Sequence, residues 1–421
     1  FNDTATTEIY TVLHTLSLHD ALPICYGRFF NVYLNGLYWG LHYVHERPDE
    51  DFAASWLGGS PADFDVLRIT TTGLEIIAGN ADAWNAALAL SNTGLTNNTQ
   101  YEALQQYVDV DNLIDYMIVN HWIGNEDWPH HNWYVLRKRA PGEGFKFISW
   151  DAEHILKTTS VNRTTANNSG TPAQIYWALI NNQEFRLRYA DHLQQHFSPG
   201  GLFYTDPDPA AARWDPAQPH KNVPASYYMK RIQEIDTAIV AESARWGGYT
   251  LTTNYTRDDH WLRELHNLLG YTNNPGNTTN WFPLRSGIVL SQYQSLGLFP
   301  TNVTAPLFSL PSGTVSAGQV LTISNAGPSG VVYYTTNGAD PRTYGASVPS
   351  ATARPYAAPL ILNQSCVVKA RVLDGSSWSP LAQATYSVAS FGVPVRITEI
   401  MYNPIGGDAF EFLELQNVGP S

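Results

Sequence analysis

Helical periodicity stops at Pro300, and no other feature constrains the fold as much. Before it, stretches such as TQYEALQQYVDVDNLIDYMIVNHWI (99–123) keep apolar residues at helical spacing. After it, from about 305 to 389, short strand patterns alternate with Gly/Ser turns: LTIS, VVYYTTNG, PLIL, CVVKARVL, QATYSV. One layer architecture cannot hold both halves. The expected fold class is therefore multidomain, with an α+β domain over 26–300 followed by all-β, immunoglobulin-like sandwich modules. The first module spans 305–389. The last, 394–421, holds only two or three strands, too few for a stable domain, and is expected to be a cut piece. A chain of 421 residues has room for two to three domains.

The stretch NDTATTEIYTVLHTLSLHDALPI (2–24) fits neither half. It has no basic residue and no apolar run of about 7–15 residues, so it is not a secretory signal. Asn2–Thr11 and Thr15–Ile24 read as one translated frame of a sequencing-library adaptor, with Val12–His14 as the variable index. Residues 1–25 are therefore set aside as adaptor-derived, and the natural N-terminus is expected to be missing.

The formal charge is −13, and it stays acidic when Asp3, Glu8 and Asp20 are set aside. An acidic chain without a basic stripe argues against nucleic acid as the main partner. Few charged residues, many aromatic ones and loops of Asn, Thr, Ser, Gly and Pro give the look of a secreted bacterial protein. Cys25 and Cys366 are too few for a disulfide framework. No apolar run reaches the ~18 residues of a membrane span.

Chemistry concentrates in GNEDWPHHNWYVLRKRAPGEGFKFISWDAEH (124–154). Two strand patterns flank Ala140–Gly144. Paired as a hairpin, they set Asn132 opposite about Asp151, within the ~5 Å of cross-strand neighbours. The loop holding Asp127 feeds directly into Asn132. Oxygen ligands of this kind suit Mg²⁺ with substrate phosphates, and Asp127 is placed to accept a proton from an attacking hydroxyl. Asp-x-x-x-x-Asn, a hairpin and then a metal-binding Asp is the order of a protein-kinase catalytic loop. The segment lacks the usual His-Arg before Asp127 and Phe-Gly after Asp151. Residues 26–421 also hold neither a Gly-rich phosphate loop nor a Val-Ala-Ile-Lys strand. On these residues alone, turn-capping roles for the Asp and Asn compete with catalysis. His121, His130 and His131 do not make a zinc site. Adjacent residues on an extended chain point to opposite faces, and no third ligand completes the spacing. Trp122, Trp128, Trp133 and Trp150 are expected to pack the core rather than stack on a nucleotide.

Four segments, YLNGLYWGLHYVHER (33–47), NLIDYMIVNHWIGNEDWPHHNWYVLR (112–137), FKFISWDAEH (145–154) and IVAESARWG (239–247), resemble the CotH family of atypical protein kinases. The resemblance covers about 26–300. It implies a kinase-like α+β fold, ATP and Mg²⁺ as cofactors, and phosphate transfer to a protein hydroxyl. Carried over by position, Asp127 is the catalytic carboxylate, and Asn132 and Asp151 are metal ligands. Glu153 is either a further metal ligand or a solvated glutamate. Glu46 is either the partner of a lysine in the ATP lobe or an exposed strand end. The family's upstream Arg-Gly-x-x-Ser stretch and Lys-rich strand have no counterpart here, so this fragment is expected to bind ATP poorly and to have little activity.

Residues 306–388 resemble the chitobiase/β-hexosaminidase C-terminal module, carried by VVYYTTNGADPR (331–342), APLIL (358–362) and VVKARVLDG (367–375). The module is read as a spacer or as a cell-surface or glycan contact. ITEIMYNP (397–404) and EFLELQNVG (411–419) resemble the start of a lamin-tail domain. Such modules accompany extracellular and cell-surface proteins. The leading expectation is a secreted or surface kinase acting on a protein substrate. The rival is a non-catalytic adhesion or structural protein with a kinase-like scaffold. A glycan-active enzyme is disfavoured, because no pair of acids stands out in the β modules.

Overall fold

The computed structural model describes residues 25–250, 252–271, 280–389, 395–402 and 411–417. The adaptor reading of 2–24 lies outside the described residues. The chain divides into two compact units, Phe1–Thr301 and Asn302–Ser421. The first is mixed helix and strand and the second is all-β.

The first unit opens on a hairpin of β1 (Gly27–Leu34) and β2 (Leu37–His45). Leu34 pairs with Leu37, so Asn35-Gly36 is a two-residue turn. Both residues have positive φ, 51° and 79°, the geometry that matches the right-handed strand twist. Next come α1 (Glu50–Leu57), β3 (Phe64–Thr70), β4 (Gly73–Ala78), α2 (Asp82–Ser91), α3 (Asn98–Leu104) and α4 (Val110–Ile123). The hairpin β5 (Trp133–Lys138) and β6 (Lys146–Ser149) follows, then α5 (Pro172–Leu179), α6 (Gln183–Phe197), α7 (Val223–Ile235), α8 (Ala238–Trp246), α9 (Leu262–Leu269) and α10 (Trp281–Ser295).

Strands β4-β3-β5-β6 form an antiparallel sheet in that order. Alternation along each strand divides its side chains between two cores. Val66, Tyr134, Leu136 and Ile148 pack with Phe52 and Ala53 of α1. Leu67, Trp133, Val135 and Phe147 face the helical body. The centre of that body is α4, where every residue but Asp111 is buried. A helix buried on every face lies inside a core, and its buried polar residues, Asn112, Asp115, Asn120 and His121, are hydrogen-bonded there. Its start is fixed by Asp109, whose carboxylate accepts the Asn112 N–H and the Lys146 ammonium. Asn112 Oδ1 in turn accepts the Phe147 N–H at 2.6 Å, tying α4 to β6.

In the second unit, the main sheet orders Arg354–Pro355, Val331–Thr335, Cys366–Asp374, Ala382–Ala389 and Gly313–Ser316, with Ser377–Trp378 paired to Cys366–Asp374. Val332, Val368, Ala370, Val372, Ala384 and Tyr386 fill its core with Leu321, Ile323 and Leu362. The Asn-Gly-x-Asp-Pro turn has a packing role. Asp340 takes the buried Arg371 guanidinium through both oxygens, at 2.9 and 2.7 Å. Val395–Met401 pairs antiparallel with Phe412–Asn417.

Candidate functional site

The site loop begins where α4 is forced to end. Gly124 takes φ 67°, and a Cβ there would lie 2.6 Å from Val161 Cγ1. The freed carbonyls of the last turn are collected by Arg285 of α10, which is fully buried. Its guanidinium donates to the carbonyls of His121, Trp122, Thr159 and Val161. A cation at a helix C-terminus is favoured by the backbone dipole. Burial pulls the Arg285 pKa down only to about 10, so the charge persists at neutral pH.

From Gly124 the chain turns through residues 125–131 into β5. Asn125 Nδ2 donates to Asn120 Oδ1 at 3.0 Å, and Asn120 Nδ2 donates to Ser149 Oγ at 3.0 Å. This buried relay joins α4, the loop and the end of β6. Trp128 is fully buried, and its Nε1 donates to Tyr116 OH at 2.7 Å. Trp133 Nε1 donates to the Pro129 carbonyl at 3.0 Å. Trp128 and Trp133, both downstream of Asp127, thus anchor its loop from within the core. Trp122, Trp128 and Trp133 are core residues, as expected.

The hairpin register brings Asn132 to Asp127 and to the backbone of Asp151. Trp133 pairs with Ser149, and the Trp150 N–H reaches the Asn132 carbonyl at 3.4 Å. Asn132 therefore faces Trp150, one residue short of Asp151. Its amide closes the difference: Nδ2 donates to the Asp151 carbonyl at 2.7 Å and to Asp127 Oδ2 at 3.2 Å. Asn132 and Asp151 both hold left-handed φ, 64° and 50°, a conformation costly for residues with a Cβ and tolerated best by Asn and Asp. Glu153 completes the group. Ligand atoms of Asp127, Glu153 and His154 all lie within 4.8 Å of one another. Burial raises the Glu153 carboxyl above the ordinary carboxylate range, helped by the charges of Asp151 and Asp127 and opposed by a backbone hydrogen bond and His154. Carboxylates held this close repel one another unless a proton or a cation intervenes. The ligand atoms that converge are those of Asp127, Glu153 and His154; Asp151 stands outside that group and meets Asn132 through its backbone carbonyl, and the oxygen donors of Asp127 and Glu153 are of the kind a hard divalent ion such as Mg²⁺ takes.

Around this cluster, Lys157 Nζ contacts Glu126 Oε2 at 3.1 Å and His154 Nδ1 at 2.7 Å. Arg163 donates to the Trp128 carbonyl. His130 Nε2 lies 3.7 Å from Asp127 Oδ1. The imidazoles of His130 and His131 do not diverge as an extended chain would require. Their centroids are 4.5 Å apart, and a ring nitrogen of each lies with an Asp127 oxygen within a mutual 4.8 Å. The reason is local: 126–130 is a turn, so the strand alternation invoked for these residues begins only at Trp133. His121 is a separate matter, buried in the core with Nδ1 2.9 Å from Tyr293 OH. Glu46 accepts the Tyr26 N–H at 2.9 Å at the base of the β1–β2 hairpin.

Residues 9–199 match the CotH kinase protein family. The first unit carries a CotH domain. Asp127, Asn132, Asp151 and Glu153 all fall inside the matched segment. Residues 310–381 match the chitobiase/beta-hexosaminidase C-terminal domain. No curated protein matches the chain. The CotH match ends before α7, yet α8 is bound to its β2 strand. Glu242 Oε2 accepts the Tyr38 hydroxyl at 3.0 Å and the Leu41 N–H at 2.8 Å, and Trp246 Nε1 donates to the Trp39 carbonyl at 2.6 Å. The quoted IVAESARWG segment is thus the clamp that holds the N-terminal hairpin. Three groups were not foreseen from the sequence: His154 beside Glu153, Arg285 behind the loop, and a buried Asp115–His192–His196 cluster between α4 and α6. Only the last left a trace in the sequence, as two histidines four residues apart.

Proposed function

We propose that the first unit is a CotH-type protein kinase that moves the γ-phosphoryl group of ATP to a serine or threonine hydroxyl of a protein. The observation that carries this reading is the amide of Asn132 bridging the Asp127 carboxylate and the Asp151 carbonyl, with Glu153 alongside. Asp127 accepts the proton of the attacking hydroxyl. Asn132 fixes the Asp127 carboxylate through Nδ2. Its remaining Oδ1, with the carboxylates of Asp151 and Glu153, would hold Mg²⁺, which when bound would neutralise charge on the transferring phosphate. In line with the accompanying modules, we place the protein outside the cell or at its surface, with the chitobiase-type module and the lamin-tail-like strands as spacers or surface contacts.

The test begins by re-reading the 5′ coding sequence from source DNA with adaptor-free primers, since residues 2–24 are proposed to be adaptor. Labelled phosphate transfer from Mg²⁺-ATP is then compared for that protein and its Asp127→Asn and Asp151→Asn variants. The kinase reading expects losses of about 10²-fold or more with the fold intact. Equal incorporation in all three, or none in any, would replace it with a non-catalytic surface scaffold.

A further inference from the structure

Away from the Asp127 loop, the packed faces of α4 and α6 hold a second cluster of ligating side chains. His192 and His196 stand four residues apart on α6, so their imidazoles share one face. Asp115, in the first half of α4, faces both. Its Oδ1 lies 2.6 Å from His192 Nδ1 and 2.9 Å from His196 Nε2. Asp115 and His196 are buried, and the His192 side chain is 16 % exposed. The other nitrogen of His192, Nε2, is 3.0 Å from Asp111 Oδ1, and Arg188 Nε holds that same oxygen at 2.5 Å. Arg188 is itself fixed by Tyr101 OH and Gln105 Oε1.

We infer that Asp115, His192 and His196 form a site for one divalent transition-metal ion of the zinc class, with Asp111 as the carboxylate that orients His192. Two histidines at i and i+4 on one helix, with a carboxylate from a neighbouring element, are a donor set that zinc accepts. Ligating histidines characteristically give their second ring N–H to a carboxylate, and Asp111 occupies that place. The metal-free arrangement is an awkward one for these groups. A single oxygen of Asp115 must accept from two imidazoles, and His192 must keep both ring protons between two carboxylates. Metal binding removes the His192 Nδ1 proton to solvent and shifts the His196 proton from Nε2 to Nδ1, so that both imidazoles present a lone pair to the ion. Donors at ~2.0–2.1 Å from a tetrahedral ion stand about 3.3 Å apart, so from 2.6 and 2.9 Å the His192 and His196 rings have to retreat by about 0.7 and about 0.4 Å. The partly exposed edge of His192 leaves water as the fourth ligand. The ion would join α4, which leads into the Asp127 loop, to α6. The inference stands whether or not the first unit transfers phosphate.

The experiment uses the full chain, stripped with a chelator, dialysed, and titrated with zinc chloride alone. A background carrying His130→Gln, His131→Gln and His154→Gln removes the imidazoles nearest Asp127. The expected result is one zinc bound per background chain, with proton release and an absorption fine structure showing imidazole ligands. His196→Gln added to that background should abolish binding. Asp111→Asn, at a side chain 51 % exposed, should weaken it about 10–100-fold and decides the matter if His196→Gln does not fold. No zinc in the background protein, or undiminished binding in the folded Asp111→Asn and His196→Gln variants, overturns the site and leaves a hydrogen-bonded cluster.

Discussion

Asn132 Nδ2 stands 3.2 Å from Asp127 Oδ2, and this bond joins the end of the loop to the start of the hairpin that carries Asp151. Two energies meet at Asn132, because its backbone is also left-handed, with φ 64°. Replacement by alanine loses the amide and keeps a Cβ in the costly conformation. Replacement by glycine loses the same amide but relieves the backbone. Asn132→Gly is therefore expected to be more stable than Asn132→Ala by about 1 kcal/mol, while both lose the proposed metal affinity equally. Urea unfolding of the two variants, with Mn²⁺ binding followed by electron spin resonance, separates strain from ligation.

Arg285 is the support behind the loop. Its guanidinium serves four backbone carbonyls and packs 4.9 Å from the centre of the Trp281 ring. Arg285→Met keeps much of the volume but takes a donor from all four, and only His121 and Val161 retain another, from the Gly124 N–H and the Gln292 amide. The carbonyls of Trp122 and Thr159 lose the Arg285 donor at about 1–3 kcal/mol each, so a loss of at least ~2 kcal/mol is expected in urea unfolding. A shift of a few tenths would mean that the C-terminus of α4 finds other donors.

Glu242 makes a different kind of link, between elements 201 residues apart. One oxygen holds both the Tyr38 hydroxyl and the Leu41 N–H of β2. Glu242→Leu removes both acceptor bonds and should cost about 2–3 kcal/mol. Its distinguishing effect is local: amides of β1 and β2 should lose hydrogen-exchange protection while those of α4 keep theirs. Uniform loss across the first unit would show that the hairpin is no separate body.

The parts of this fold legible in the sequence are those specified over short distances. Asn35-Gly36 dictates a tight turn, and strand patterns around Ala140–Gly144 carry Asn132 to within one residue of its expected partner. The β3–β4 pair was not foreseen. Its turn, Thr71-Thr72 between the paired Thr70 and Gly73, lacks an Asn-Gly or Asp-Gly signal, and Asp65 interrupts the apolar run. That aspartate is tolerated because Arg137 and Arg139 pair with it across the sheet, which no local pattern reports. The His130–His131 reading failed for the opposite reason. It applied strand alternation to a segment that is still a turn. Tertiary partners such as Glu242 with β2, or Asp115 with His192, lie too far apart in sequence for periodicity to link them.

His121 ties stability to pH. It is fully buried beside Arg285 and Arg163, and burial, reinforced by those charges, lowers its pKa to about 3. The unfolded chain titrates near the ordinary value of ~6.5. Above that pH the imidazole is neutral in both states and folding carries no proton cost. Below it the unfolded state binds a proton that the folded state refuses, so this group's contribution is lost as pH falls from about 6.5 towards 3. One proton corresponds to a slope of about 1.4 kcal/mol per pH unit. In His121→Gln that slope should disappear between pH 6 and 4, whatever the variant's stability at pH 7. Urea midpoints measured across this range check it, and an unchanged acid slope in the variant would assign the titration to another group.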